Sequence, residues 1–323
     1  MATINVALGI DIGGTNTKFG FVDKEGTRVV DSSILTNAHE PAENLVSRVH
    51  DEAEKMFQPL KGHYSLCGIG VGAPNANYYR GTVESPPNLQ WKGVVHLADL
   101  IKHYYDLPVA VTNDANAAAL GEMLYGAAKG MKDFIVITLG TGLGSGIVAG
   151  GNMVYGADGF AGEIGHTIVD PEGRQCGCGR QGCLETYASA PGICRTVWEL
   201  LADRREDSTL RSVSPHDLTA VMIAEAANQG DVIARAAFEY TGKVLGMKLA
   251  DSVAHTSPEA IILFGGLANA GPLIFEPTKH WMEEYMLNIF RNKVKLLPSG
   301  LKDADTAVLG AAALIWNELL RQA

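Results

Sequence analysis

The chain has 323 residues, 46% of them apolar, and a formal net charge of −10. That length suits two ordinary domains, each with its own core. The acidic balance, without a long basic run, argues against a nucleic-acid footprint, so an anionic small molecule would have to be held by loop amides, a lysine or a metal. The opening MATINVALGID has neither a basic region nor a long apolar core, so no signal peptide is expected there. Five cysteines with no secretory signal suit a reducing compartment, the cytoplasm.

Ile4–Ile12 is a β-branched apolar run and reads as a buried strand. It ends in Asp11-Ile12-Gly13-Gly14-Thr15-Asn16-Thr17-Lys18, and a second strand is expected at Phe19–Val22. The glycines therefore sit in a hairpin turn and not before a helix, unlike a P-loop or a dinucleotide fingerprint. Gly13 and Gly14 would bare N–H groups toward an anion, with Thr15 adding a hydroxyl and Lys18 a charge. Asp11 is placed to hold Mg²⁺ through water. A plain Gly-Gly hairpin fits the same residues. A third strand is expected at Thr27–Leu35, a helix at Pro41–Phe57 and a strand at Leu66–Gly72. A long loop from Gly72-Ala73-Pro74-Asn75 ends near Asn88, a candidate polar contact or a turn residue. Cys67, inside the strand, reads as a small core hydrophobe. Val94–Tyr105 is expected to be helical, and Pro108–Thr112 a short strand leading into Asn113-Asp114 and the helix Ala117–Gly126. At the C-terminal end of a strand, Asp114 suits either catalysis or helix capping.

From Phe134 to Ala157 no charged residue occurs, but seven glycines break the stretch into short runs. A strand at Phe134–Leu139, the turn Gly140-Thr141-Gly142 and a strand at Ile147–Ala149 fit better than a membrane span. This repeats the N-terminal pattern and suggests two halves of similar plan with a cleft between them. Next comes EIGHTIVDPEGRQCGCGRQGCLE, Glu163 to Glu185, which carries His166, Cys176, Cys178 and Cys183. One histidine and three cysteines form a closed ligand set for structural zinc. Ordinary cysteines on a flexible loop are the plainer reading. A disulfide is disfavoured, since Cys176 and Cys178 are too close to bridge and one thiol would be left over. Zinc would tie the loop's ends together, so that Glu163 and Glu185 face one pocket, with the metal as scaffolding. Helices follow at Leu184–Arg205, at Ser214–Asn228 with Ser214 and Asp217 as a capping pair, and at Asp231–Ala254. Cys194, on the first of these, has no metal-like neighbour. Ile261–Phe264 is expected as a strand running into Gly265-Gly266, which suits close approach to a ligand or a plain turn. Helical sequence to about Phe290, a strand at Lys293–Leu297 and a helix at Thr306–Leu320 complete the chain.

Taken in this order, the pieces resemble the ROK family of bacterial sugar kinases and repressors. The resemblance spans almost the whole chain and is carried by DIGGTNTK (Asp11–Lys18), Asn113-Asp114, Gly140-Thr141-Gly142, Glu163-Ile164-Gly165-His166 and CGCGRQGCLE (Cys176–Glu185). It implies an α/β, two-lobed actin/hexokinase-like (ribonuclease H-like) ATPase fold with mixed five-stranded sheets. The first lobe is expected over 1–118, with the last helix (305–323) returning to it, and the second over 119–304 with the zinc loop and a helical insert. Within the family the look is nearest to glucokinases. The resemblance makes Asp114 the general base and gives sugar hydroxyls to Asn88, Asn113, Asp114, Glu163, His166 and Glu185. It gives ATP phosphates to the two glycine hairpins and adenosine to Gly265-Gly266. It also implies a homodimer. One departure is Asn75, where many members have glycine in a GxPG sequence.

Phosphoryl transfer depends mainly on positioning and charge stabilisation. The expected reaction moves the γ-phosphoryl of ATP, with Mg²⁺, to the 6-hydroxyl of glucose, a step of glycolysis. One nitrogen of His166 would face zinc and the other the sugar. Kinases for N-acetylmannosamine, N-acetylglucosamine or fructose are the main alternative. A sugar-sensing repressor is disfavoured because only ten residues, none basic, precede Asp11. A plain ATPase has no need of a zinc loop flanked by carboxylates.

Overall fold

The computed structural model describes residues 3–301 and 303–322. Two compact units divide it: residues up to Met131, Asn152–Gly162 and Ser299 onward form the first, and Lys132–Gly151 with Glu163–Pro298 the second. The boundary expected at 118 falls inside a helix, Asp114–Tyr125, and the excursion at 152–162 carries no compositional signal in the sequence.

In the first unit, β1 (Ile4–Ile12), β2 (Asn16–Asp23), β3 (Arg28–Leu35), β4 (Tyr64–Gly72) and the later β8 form one five-stranded sheet. Its order is β3-β2-β1-β4-β8, where β8 is Val109–Thr112. The β1–β2–β3 meander is antiparallel and β4 and β8 join in parallel, so the sheet is mixed. Helix α1 (Ala42–Phe57) buries Leu45, Val46, Val49 and Phe57 on one stripe, the 3–4 spacing of an amphipathic helix. The long loop after β4 is not structureless. It folds into a small sheet of β5 (Ala76–Asn77), β6 (Thr82–Glu84) and β7 (Val94–Val95). The helix expected over Val94–Tyr105 shrinks to α2 (Leu97–Lys102), because Val94 and Val95 pair with β6. Helix α3 (Asp114–Tyr125) and the last helix, α8 (Asp303–Gln322), complete the unit. A Cβ at Gly9 would strike the Val308 carbonyl and one at Gly70 the Ala311 carbonyl, so glycine on β1 and β4 is what lets α8 lie against the strands.

In the second unit, β9 (Phe134–Leu139) and β10 (Leu143–Ala149) form a hairpin, and the two-residue β11 (Asn152–Met153) extends the edge. On its other side β9 pairs in parallel with β12 (Ala260–Phe264), and β12 with β13 (Lys295–Pro298). Strand β10 begins at Leu143, four residues before the expectation, because Leu143 and Gly144 already pair across the turn. Helices α4 (Ala190–Asp203), α5 (Ala220–Asn228), α6 (Val232–Thr256) and α7 (Pro272–Tyr285) pack around a core that includes Ile137, Leu139, Phe238 and Leu245. Burying one such side chain is worth about 1.5–3 kcal/mol. The expected capping pair at Ser214 and Asp217 is a turn instead. The cap of α5 is Thr219, whose hydroxyl accepts from the Met222 N–H at 3.2 Å. Among the described residues no helix is long and apolar enough to cross a membrane.

Candidate active site

The first unit gathers Asp11, Gly13, Gly14, Thr15, Lys18, Asn88, Asn113 and Asp114. Asp11 and Lys18 are register partners across the β1–β2 hairpin, so their side chains share a face. The turn between them is closed by the Gly13 N–H donating to Asn16 O at 3.1 Å. It is braced by residues that no local motif marks. The Thr36 hydroxyl donates to Gly13 O at 2.7 Å and lies 2.9 Å from the buried Thr17 hydroxyl. A Cβ at Gly14 would sit 3.0 Å from that of Asn88, which brings the end of the long loop against the turn.

Asp114 opens α3, but the cap is Asn113, whose Oδ1 accepts from the Ala115 N–H at 2.8 Å. The Asp114 Oδ1 shares that donor at 2.7 Å. Water reaches Asp114, yet protein crowds its carboxyl closely. The resulting desolvation raises its pKa above the ordinary carboxylate value, against the opposing pull of the backbone N–H groups. Asp11 is pushed up to about 7, first by burial, then by the charge of Asp114, with Lys18 opposing. Gly72 lies beside both residues: a Cβ there would sit 3.6 Å from Asp11 Oδ1 and 3.7 Å from Asp114 Cα. Two facing carboxylates beside one lysine suit a divalent cation or a proton to be moved.

The departure at Asn75 has a structural basis. Its φ is +53°, the left-handed region that glycine enters freely and asparagine tolerates. Its amide also donates to Glu84 O at 3.2 Å and Ser85 O at 3.1 Å, tying the loop in a way glycine would not.

The second unit gathers the other glycines and the cysteine loop. Gly140 N–H donates to Gly142 O at 3.0 Å, which closes the turn and leaves Thr141 exposed. Gly265 lies beside the end of β9 with φ +102°, and the Leu267 N–H donates to Leu139 O at 3.1 Å. Thus Gly140–Gly142 and Gly265-Gly266 share one end of the sheet.

The ligand atoms of His166, Cys176, Cys178 and Cys183 all lie within 4.8 Å of one another. His166 Nδ1 is 3.8 Å from Cys176 Sγ, and Cys178 Sγ is 3.6 Å from Cys183 Sγ. Zinc–sulfur bonds of about 2.3 Å in a tetrahedron need edges of about 3.8 Å, so the donor set fits zinc. With Nδ1 turned to this centre, Nε2 is the nitrogen left for another partner. Desolvation raises the Cys178 thiol, but hydrogen bonds from the Arg180 backbone and guanidinium outweigh it and bring it down to about 6, which favours the thiolate.

Glu185 joins the loop to the glycine turn. Its Oε2 accepts from the Leu143 N–H at 2.9 Å, and its Oε1 lies 3.8 Å from Cys176 Sγ. A Cβ at Gly142 would collide with this carboxylate. Glu163 is exposed, and the Ile164 N–H that follows it donates to Ser145 Oγ at 3.1 Å. Arg174 and Tyr187, which sequence reading passed over, hold the loop's two ends together: the Arg174 N–H donates to the Tyr187 hydroxyl at 3.1 Å.

Known proteins match this chain almost end to end. A glucokinase of Halalkalibacterium halodurans is 39% identical over 315 residues, covering 95% of this chain and 94% of that one. A xylose repressor of Caldicellulosiruptor bescii is 30% identical over 318 residues, covering 97% of this chain and 78% of its own. Among solved structures, a ROK family glucokinase of Streptomyces griseus in complex with glucose and AMPPNP aligns with a TM-score of 0.80 at 34% identity, covering 98% of this chain and all of that one. The ROK family model itself matches residues 7–318, and the chain belongs to the ROK family.

Proposed function

We propose that this protein is a glucokinase, which transfers the γ-phosphoryl of ATP to the 6-hydroxyl of glucose. The carrying observation is the Asp114 carboxylate, held at the first turn of α3 with a raised pKa, in a chain that matches glucokinases over nearly its whole length. A base whose pKa lies nearer neutrality takes a proton more effectively than an ordinary carboxylate. In this reading Asp114 accepts the proton of the attacking hydroxyl as it adds to phosphorus.

The remaining residues position and neutralise. The N–H groups of Gly13, Gly14 and Thr15 and those of Gly140, Thr141 and Gly142 receive phosphate oxygens, and Lys18 adds a positive charge. Gly265-Gly266 admit the adenosine. Asp11 would hold Mg²⁺ through water, a role its place between Lys18 and Asp114 supports. Asn88, Asn113, Glu163, Glu185 and the Nε2 of His166 bind the other hydroxyls, so that the 6-hydroxyl lies in line with the phosphoryl group. Zinc held by His166, Cys176, Cys178 and Cys183 would be left with no open position and would serve as a fixed corner of the loop.

The reading extends to a homodimer in the cytoplasm that supplies glycolysis. A coupled ADP-release assay across glucose, fructose, mannose, N-acetylglucosamine and N-acetylmannosamine tests it. Glucose is expected to give the highest kcat/KM. Preference for an N-acetylhexosamine would keep the chemistry and change the substrate, and sugar-independent ADP release would overturn the reading.

A further inference from the structure

Arg174 is only 4% exposed, an expensive place for a charge unless every donor is satisfied. Its Nη1 donates to Thr186 O at 2.7 Å and Gly192 O at 3.1 Å. Its Nη2 donates to Thr196 Oγ1 at 2.9 Å and to Glu199 Oε2, and its Nε to Glu199 Oε1 at 3.1 Å. The guanidinium lies 4.5 Å from the centre of the Tyr187 ring. This is the planar, bidentate use of a guanidinium that lysine cannot reproduce.

These partners share a location. Arg174 stands two residues before Cys176, Thr186 is the residue after Glu185, and Gly192, Thr196 and Glu199 belong to α4. One side chain therefore ties the entrance of the cysteine loop to its exit and both to a helix, without a metal. Glu185 is held from two directions: its carboxylate by the Leu143 N–H at 2.9 Å, and the carbonyl of the next residue, Thr186, by Arg174 at 2.7 Å. The cysteine cluster meets the same stretch from the other side, where the Thr186 N–H and hydroxyl donate to Cys183 O at 3.0 and 2.7 Å.

We propose that Arg174 is a positioning residue for sugar phosphorylation: a metal-independent clamp that sets the backbone at Glu185 and so aims its carboxylate, an inference that rests on the sugar-kinase reading. The fold alone needs this corner filled. A buried five-donor fork whose nearest acceptor is the residue after Glu185 does more, since it restrains the backbone that carries that carboxylate.

Two full-length variants test it. Arg174→Lys keeps the charge and most of the stem but cannot span Thr186, Gly192 and Glu199 together. Glu199→Gln leaves Arg174 in place and removes the charge that anchors it, along with an exposed pair to Arg195 at 3.2 Å; Glu199 is half-exposed, so this variant keeps the test open if the first fails to fold. A misplacement near 1 Å of a substrate-positioning group can cost on the order of 100-fold in rate. Arg174→Lys is expected to lower kcat/KM for glucose by that amount, with zinc content and the KM for ATP as in wild type. Glu199→Gln should shift glucose kinetics the same way by less. Hydrogen exchange at the Glu185–Tyr187 amides should be slow in wild type and fast in Arg174→Lys. Unchanged glucose kinetics in a folded variant, or a parallel loss in glucose and ATP parameters that tracks a lowered Tm, would overturn the proposal. If wild type phosphorylates no sugar, the kinase reading fails and the sugar role of Arg174 fails with it, while the exchange data separately decide whether the clamp exists.

Discussion

Replacing Cys178 with serine tests how the cysteine loop supports activity. Cys178 is exposed and its sulfur is 3.6 Å from that of Cys183, so the change adds no bulk and buries nothing. It does remove one of four ligands, because a serine hydroxyl stays protonated where the Cys178 thiol, brought down to about 6, is ready to lose its proton. The effect on chemistry must travel through Glu185 and His166. Glu185 keeps its Leu143 N–H at 2.9 Å and the neighbouring Arg174 clamp, so the loop does not unravel completely. His166 would lose the metal that this donor set could hold beside its ring. A displacement near 1 Å costs on the order of 100-fold in rate, about 2.7 kcal/mol of transition-state stabilisation. The turn at Gly140–Gly142 is closed by its own hydrogen bond at 3.0 Å and should still bind nucleotide. Elemental analysis beside steady-state kinetics should therefore show loss of zinc and a fall near 100-fold in kcat/KM for glucose, with the KM for ATP unchanged. A zinc-free variant with full activity would refute the reasoning.

Three further outcomes are expected. Asp114→Asn keeps the side chain's shape and should bind glucose, but kcat should fall by at least about 100-fold, the low end for general-base catalysis; near-normal turnover would leave Asp114 a helix-end residue only. Lys18→Ala and Thr141→Val should raise the KM for ATP more than that for glucose, and a selective loss of sugar affinity would reverse the assignment of the glycine turns. Asp231, the cap of α6, accepts from the Ile233 and Ala234 N–H groups, both at 3.0 Å, so Asp231→Ala should cost about 1–2 kcal/mol at neutral pH. Burial raises the Asp231 pKa, but these bonds and those from Ser208 and Thr209 lower it below its ordinary 3.8. Its contribution is thus fully present above pH 3.8 and lost as the pH falls through the lowered native pKa, so the gap in Tm between wild type and variant should close there. A gap that widened on acidification would contradict the sign.

Much of this arrangement could be read from residue order. The β-branched runs and glycine turns mark the hairpins at Ile12–Thr17 and Leu139–Leu143 because a strand, a tight turn and a strand leave a local pattern. The cysteine cluster is legible for the same reason: its four ligands fall within one short stretch. What could not be read depends on distant partners. Val94 and Val95 fit a helix until β6 pairs with them. Thr36 braces Gly13 from 23 residues away, and Arg174 finds Glu199 a helix later. Asn113, and not Asp114, caps α3, a choice between adjacent residues that depends on backbone angles. Asn75 takes the left-handed conformation that glycine enters freely, a choice of backbone angle that residue order does not reveal.

The proposed reaction moves a phosphoryl group from ATP to the 6-hydroxyl of glucose. Phosphorus and carbon NMR of the product from purified protein, ATP, Mg²⁺ and carbon-labelled glucose tests it most directly. Glucose 6-phosphate formed one-for-one with ADP is the expected product. Phosphate on another hydroxyl, or ADP released with free phosphate and unmodified glucose, would contradict it.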